Sequence, residues 1–427
     1  MIKKIIAGLC LIFSVVASAQ QNNASPYSFY GVGDVKFKGT VENRSMGGLS
    51  IVPDSIHLNL QNPASYSGLK FTTFSVGGTT SKTTLKTNDA KDNAGRTTFD
   101  YLAVALAFKK VGVSFGLMPY TAVGYKVKDS VQDSSDNLYR KREFLGDGGL
   151  NRVFIGGAYQ ITDKLSIGAD FQYYFGDIET KSVVSVASGS GGTSTQYRSR
   201  EINTSDYKGV GVNIGAMYQT LINKKYMWVA SATYSPETTL KNTTVRNIAA
   251  ITVSSSDTET VNDEVTINVS DVDVAIPSKL AVGTGFGQAR KWFAGVEYTY
   301  QQNSKLSNRF ANMTASGFEN SHKISLGGYY TPKYMSYTSY LSRITYRAGL
   351  KYEKTGLVIA GQDINDYGVS LGLGFPLSGT IGGSNINVGA EFGKRGTTNA
   401  NLVQENYVNL FIGISLNDRW FVKRRYE

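Results

Sequence analysis

The chain has 427 residues, 46 glycines, 8 prolines, 27 tyrosines, 20 phenylalanines and a formal charge of +11. Its one cysteine, Cys10, lies in the extreme N-terminal segment, which excludes a disulfide scaffold and cysteine chemistry in the rest of the chain. The positive charges are dispersed over turns and loops with no basic helix or aromatic RNA-reading motif, so nucleic acid is not an expected partner and an anionic lipopolysaccharide surface is. The two histidines, His57 and His322, are too few for a histidine metal cluster; no metal and no cofactor is expected.

Residues 1–19 read as a secretory signal peptide. Met1-Ile2-Lys3-Lys4 is basic, Ile5–Val16 is apolar, and Ala17-Ser18-Ala19 is a small-residue cleavage site before Gln20. No later apolar run approaches the roughly 18 residues of a membrane helix. A secreted chain without such helices spans a membrane only as a closed barrel, which in bacteria means the outer membrane.

Residues 20–67 are rich in turn formers and show no sustained alternation. They nevertheless hold Leu49, Ile51, Val52, Ile56, Leu58 and Leu60, which a disordered leader would not favour. The segment predicts a compact plug, folded against the barrel wall or inside its lumen.

Residues 68–416 predict a transmembrane antiparallel β-barrel, an all-β fold of about fourteen strands. The pattern is plainest in Leu165–Phe175. Leu165, Ile167, Ala169, Phe171, Tyr173 and Phe175 occupy one face, and Ser166, Gly168, Asp170, Gln172 and Tyr174 the other. The same period recurs in Trp292–Tyr300, Tyr346–Tyr352 and Ile386–Phe392, which place Glu297, Arg347, Lys351 and Glu391 on the small-residue face. Lipid outside and a wet lumen inside explain apolar faces ending in aromatics opposite faces that mix glycine with charge. Asp170, Glu297, Arg347, Lys351 and Glu391 are thus candidate lumen charges, able to pair as ladders holding the plug or to line a polar path. Short links such as Thr162-Asp163-Lys164 and Asn223-Lys224-Lys225 alternate with longer polar ones, including Asn88–Thr97, Lys128–Gly149, Asn303–Asn320, Glu353–Asp366 and Arg395–Gln404. This parity puts both termini in the periplasm and the long connections outside. Segments flanking Ser188–Thr195 and Ser254–Asp263 are longer than the roughly 9–11 residues a membrane strand needs, so these hairpins should project. Residues 417–427 form a short basic tail, either an extension of the sheet or periplasmic.

Two G-x-S-x-G matches, Gly112–Gly116 and Gly368–Gly372, lie inside strands. A nucleophile elbow needs a strand-to-helix turn, so both read as small-residue faces and no catalytic residue is expected. Pro119 interrupts a segment that otherwise reads as one continuous strand, with Gly116 just before it. Proline removes a ladder donor, and a closed barrel has no edge to hide it, so the wall should bulge or kink there.

Met46-Gly47-Gly48, Asp54 and above all Asn62-Pro63-Ala64, just before the first strand, resemble elements of the FadL-type long-chain fatty-acid transporter family of outer-membrane proteins. The resemblance implies a fourteen-stranded barrel with an N-terminal hatch that takes up hydrophobic small molecules passively. It also implies sideways release into the membrane through a kink in the third strand, which makes Pro119 and Gly116 the candidate lateral gate. The Ser/Thr-rich hairpins do not resemble that family's apolar ligand-capturing loop. The rival reading is an interaction barrel, an anchor or shuttle in a secretion or surface-assembly machinery, docking protein partners through its extracellular loops.

Overall fold

The computed structural model describes residues 23–133, 138–188, 197–254, 256, 258–306, 316–377 and 383–420. The signal peptide and most of the basic tail lie outside the described residues, as does the tip 189–196.

The wall is a closed antiparallel barrel of fourteen strands. In chain order the segments are β1 (Asp34–Val35) in the hatch, then β2 (Thr72–Lys86), β3 (Lys91–Ala107), β4 (Val111–Pro119), β5 (Thr121–Asp133), β6 (Leu138–Gln160), β7 (Leu165–Ser188) and β8 (Arg198–Ile222). They continue as β9 (Tyr226–Ser235), β10 (Thr238–Val253), β11 (Glu259–Ile276), β12 (Lys279–Gln288), β13 (Trp292–Gln301), β14 (Ser316–Phe318), β15 (Ser321–Tyr330), β16 (Thr345–Ile359), β17 (Gln362–Pro376), β18 (Asn385–Arg395) and β19 (Gln404–Asp418). The pairs β4/β5, β9/β10 and β11/β12 are broken halves of single wall strands, and β14 is a short outer addition beside β16. Closure is made by β19 on β2, from Gln404 opposite Lys86 to Asp418 opposite Thr72. The sheet therefore takes up Asn417 and Asp418, the first two residues of the expected tail.

Alternation sorts the side chains as period two requires. Leu326, Leu371 and Ile412 are about half exposed on the outside, whereas Glu297, Arg347 and Glu391 are buried inside. An apolar outer band around a polar, filled interior is the arrangement a lipid-spanning barrel needs.

At one end the strands meet in tight links. Asn223 and Lys224 take φ of +52° and +55°, the left-handed pair in a three-residue link closed by the Lys225 N–H donating to Ile222 O at 3.2 Å. The connection 331–344 at this end is longer. At the other end the sequence reading placed loops where the structure has strand. Asn88–Thr97 is mostly the start of β3, and Lys128–Gly149 holds the end of β5 and the start of β6. The reason is physical: beyond the lipid band both faces meet water, so the alternating signal disappears while backbone pairing continues.

Candidate functional site

Residues 23–71 fold inside the lumen, so the hatch fills the barrel rather than leaning on its outside. Its seat is glycine on glycine. Gly47 and Gly48 take φ of +72° and +87°, and the turn they form presses its backbone on the wall. A Cβ on Gly349 would meet Gly47 N at 2.1 Å, and one on Gly327 would meet Met46 O at 2.3 Å. The Gly47 N–H donates to Ser370 Oγ at 2.9 Å, which gives one of the two G-x-S-x-G serines a structural role. The other, Ser114, donates to Val104 O at 3.1 Å.

Asn62-Pro63-Ala64 makes the second seat. Asn62 caps the 3-10 turn Pro63–Gly68, its Oδ1 accepting from the Ala64 N–H at 3.0 Å and its Nδ2 donating to Ser231 Oγ at 2.8 Å. Proline opens the turn, where no amide hydrogen is needed. The turn lies against Gly168 and Gly215, where a Cβ would strike Pro63 C at 2.6 Å and Asn62 Oδ1 at 2.2 Å.

All five candidate lumen charges face inward, and the structure gathers them at the hatch. Arg44 Nε meets Glu391 at 2.9 Å; Glu391 also holds Lys351 at 2.7 Å, which reaches Asp366 at 3.2 Å. Ser50 donates its N–H and hydroxyl to Glu297 at 2.8 and 2.5 Å. Tyr66 donates to Asp170 at 3.0 Å. Arg347 donates to Asn387 at 2.9 Å, and Asn387 donates to Glu42 of the hatch at 2.7 Å. Each of these five wall charges thus meets a partner, the condition for leaving ionised groups out of bulk water.

Asp54 accepts from the backbone N–H of Ile56 at 2.9 Å and lies 2.7 Å from His57 Nδ1. Burial opposes the charge on each, but the pairing outweighs it: His57 is held above its usual range and Asp54 below. Glu42, also raising His57, lies 3.8 Å from Nε2, while the Arg347 guanidinium acts against the imidazolium. A raised histidine contributes stability below its unfolded pKa and loses it as pH rises through the folded value. A lowered carboxylate contributes above its unfolded pKa and loses it as pH falls. Wild type should therefore melt several degrees above His57→Gln at about pH 6, the difference shrinking by about pH 9. Paired thermal melts check this, and a constant difference would sink it. His322 stands on the outer face with Nδ1 2.7 Å from the Tyr298 hydroxyl.

The wall breaks at Pro119. The β3–β4 ladder stops at Leu102 opposite Leu117, and β4 ends two residues later. Tyr120 turns inward and is buried, and β5 resumes on the β6 side only. The free edge of β5 is met by the hatch: Asp34 pairs with Ala122, Val35 with Thr121, and the Lys36 N–H donates to Tyr120 O at 3.0 Å. Gly148 and Gly149 of β6, at φ of +107° and +150°, absorb the kink. Between β3 and β5 lies a cavity of about 340 Å³ lined by Lys36, Phe37, Thr98, Pro119, Ala122 and Gly149 among others. Gly116 is elsewhere. It sits in the intact ladder opposite Ala103 and Phe154, so the residues at the break are Thr98, Ala122, Gly148 and Gly149 instead.

A second cavity, of about 250 Å³, lies deeper in the lumen and shares Lys36 and Phe37 with the first. Lys38, Lys279 and Lys323 converge on it beside Tyr30, Tyr120 and Leu357, with Glu297 and Glu353 also in its lining. Lys38 Nζ stands 4.0 Å from the Tyr120 ring centre. Among the described residues none of these three lysines has a carboxylate within ion-pair distance. Burial, then the cations of Lys279, Arg152 and Lys323, push the Lys38 ammonium well down despite Glu353. Sequence reading missed all three lysines, and only the closed barrel brings them together.

The hatch, the fourteen-stranded wall and the break in its third strand define a FadL-type barrel, the fold of several solved outer-membrane channels. The Pseudomonas putida toluene transporter TodX is 16% identical over 91% of this chain and 100% of its own, with a TM-score of 0.57. The Ralstonia pickettii toluene transporter TbuX is 15% identical over 90% and 99%, with a TM-score of 0.55. A Pseudomonas aeruginosa FadL homologue is 11% identical over 90% and 98%, with a TM-score of 0.55. No curated protein matches the chain. The BamG family model matches residues 1–427, and the chain belongs to the BamG family.

Proposed function

We propose that this protein is a passive outer-membrane channel for hydrophobic small molecules of fatty-acid type, releasing them sideways into the membrane between β3 and β5. The observation that carries the reading is the pair of adjacent cavities that share Lys36 and Phe37 in their lining, one in the lumen and one in the break of the wall. Lipopolysaccharide resists apolar solutes, so a lateral exit that delivers them into the bilayer gives such a path a use. On this reading the tight-turn end and both termini face the periplasm. TodX and TbuX are described as toluene transporters, but three lysines with no carboxylate at ion-pair distance among the described residues favour a ligand with an anionic head on an apolar body.

Titration of the purified protein with a fluorescent long-chain fatty acid tests this. Binding should weaken roughly tenfold in Lys38→Met/Lys279→Met, about 1.4 kcal/mol. Affinity should also fall as pH rises, because an anion needs the ammonium charged. Toluene should displace the probe poorly. No saturable binding, or equal displacement by toluene, would count against the reading.

A second reading, an anchor or shuttle in surface assembly, is favoured by the strands beyond the lipid band. There β5, β6, β7, β8, β10 and β11 pair in that order as one projecting sheet. Such a sheet adds nothing to a diffusive path.

A further inference from the structure

The last strand of that sheet has one ladder neighbour among the described residues. β11 pairs with β10 from Glu259 opposite Val253 to Ile276 opposite Thr238. The wall below continues through β12, which pairs with β9 and β13, so the second edge of β11 carries no ladder among the described residues. Its 18 residues amount to roughly 60 Å of strand at about 3.3 Å per residue. Proteins ordinarily blunt an open edge with charged side chains, proline, bulges or a cover. β11 has neither lysine nor proline; it carries acids and two bulges against β10, yet nearly all of it from Val261 to Asp273 remains exposed.

Its chemistry points to an occupant. Glu259, Asp263, Glu264, Asp271 and Asp273 make five acids with no base, on a chain whose net charge is +11. Glu259 is paired with Lys181 and Arg200, and Asp271 with Lys241 at 2.9 Å. Asp263 and Asp273 have no ion pair among the described residues. Val265 and Ile267 stand exposed on one face with Asp263, and Val261 stands exposed on the other, across the bulge at Asn262.

We infer that the free edge of β11 is a docking site for an extended basic segment of a partner protein, added as a further strand with lysine or arginine alternating with apolar residues. Main-chain hydrogen bonds to the open edge supply affinity, Val265 and Ile267 supply apolar contact, and the acids select the sign of the partner. This does not depend on the channel reading, and it goes beyond the anchor reading by naming the surface and the partner's chemistry.

The probe is a synthetic peptide of about ten residues alternating lysine and valine, added to the full-length protein in zwitterionic detergent. Hydrogen exchange should slow across 261–273 and not in β5. N-methylation of alternate peptide amides should weaken binding at least about tenfold, because it removes ladder donors and leaves charge unchanged. Asp263→Lys/Asp273→Lys should weaken it similarly, and a glutamate–valine peptide should not bind. Equal binding of the N-methylated peptide would reduce the effect to charge and overturn the strand docking. So would no binding, protection elsewhere, or β11 amides already protected without peptide by the chain's own connection or a second copy.

Discussion

Replacing Gly349 with valine should yield a barrel that still assembles but whose hatch no longer seats. Gly349 lies in β16 between β15 and β17, and its pairing with Gly327 and Ser370 uses backbone alone, so the ladder survives a side chain there. The lumen side does not. An ideal Cβ stands 2.1 Å from Gly47 N and 2.2 Å from Met46 C, both backbone atoms of a turn held at positive φ. Neither can give way as a side-chain tip would. Moving the turn breaks the bond from the Gly47 N–H to Ser370 and draws Arg44 away from Glu391. Glu391 is 4% exposed, so the loss leaves a buried carboxylate with Lys351 as its remaining ion-pair partner. Together these should cost about 3 kcal/mol or more. Trypsin should then cut at Lys36, Lys38 or Arg44, sites shielded in the wild type, while the barrel stays resistant. Gly317→Val is the control, since nothing lies within 4 Å of a Cβ there. A Gly349→Val protein with a wild-type melt and an uncut hatch would refute this account of the seat.

The lumen charges could be read from the sequence because strand period is two: once Phe171 and Tyr173 are outside, Asp170 and Gln172 are inside. The hatch seats at Met46-Gly47-Gly48 and Asn62-Pro63-Ala64 stood out as turn chemistry, but the wall glycines that receive them look like any small-residue face. Outer strand ends were lost for the opposite reason. Lys91-Asp92-Asn93 in β3 is polar on both faces, so no alternation marks it as strand. The lysine cavity had no local signature at all. Lys38 comes from the hatch, Lys279 from the start of β12 and Lys323 from β15, and only closure sets them round one space.

The break at Pro119 gives the transport reading its most demanding test, in Thr98→Trp. Thr98 is on the inward row of β3, where its hydroxyl donates to Asp100 at 3.1 Å, and it lines the cavity of about 340 Å³ between β3 and β5. An indole there occupies the opening while leaving the β2–β3 ladder and the lysine cavity untouched, since Thr98 is not among that cavity's lining residues. Flux of a fluorescent fatty acid into cells or vesicles should fall at least about tenfold, which needs a barrier only about 1.4 kcal/mol higher. Binding to the purified protein should change little, and Thr98→Ala should carry flux as the wild type does. That split separates exit from capture. Unchanged flux with the opening filled would mean that ligand leaves by another route or that the break does not conduct. Combined with wild-type binding it would retire lateral release and keep the lumen site. Without binding, it would leave the projecting sheet as the working part of the molecule.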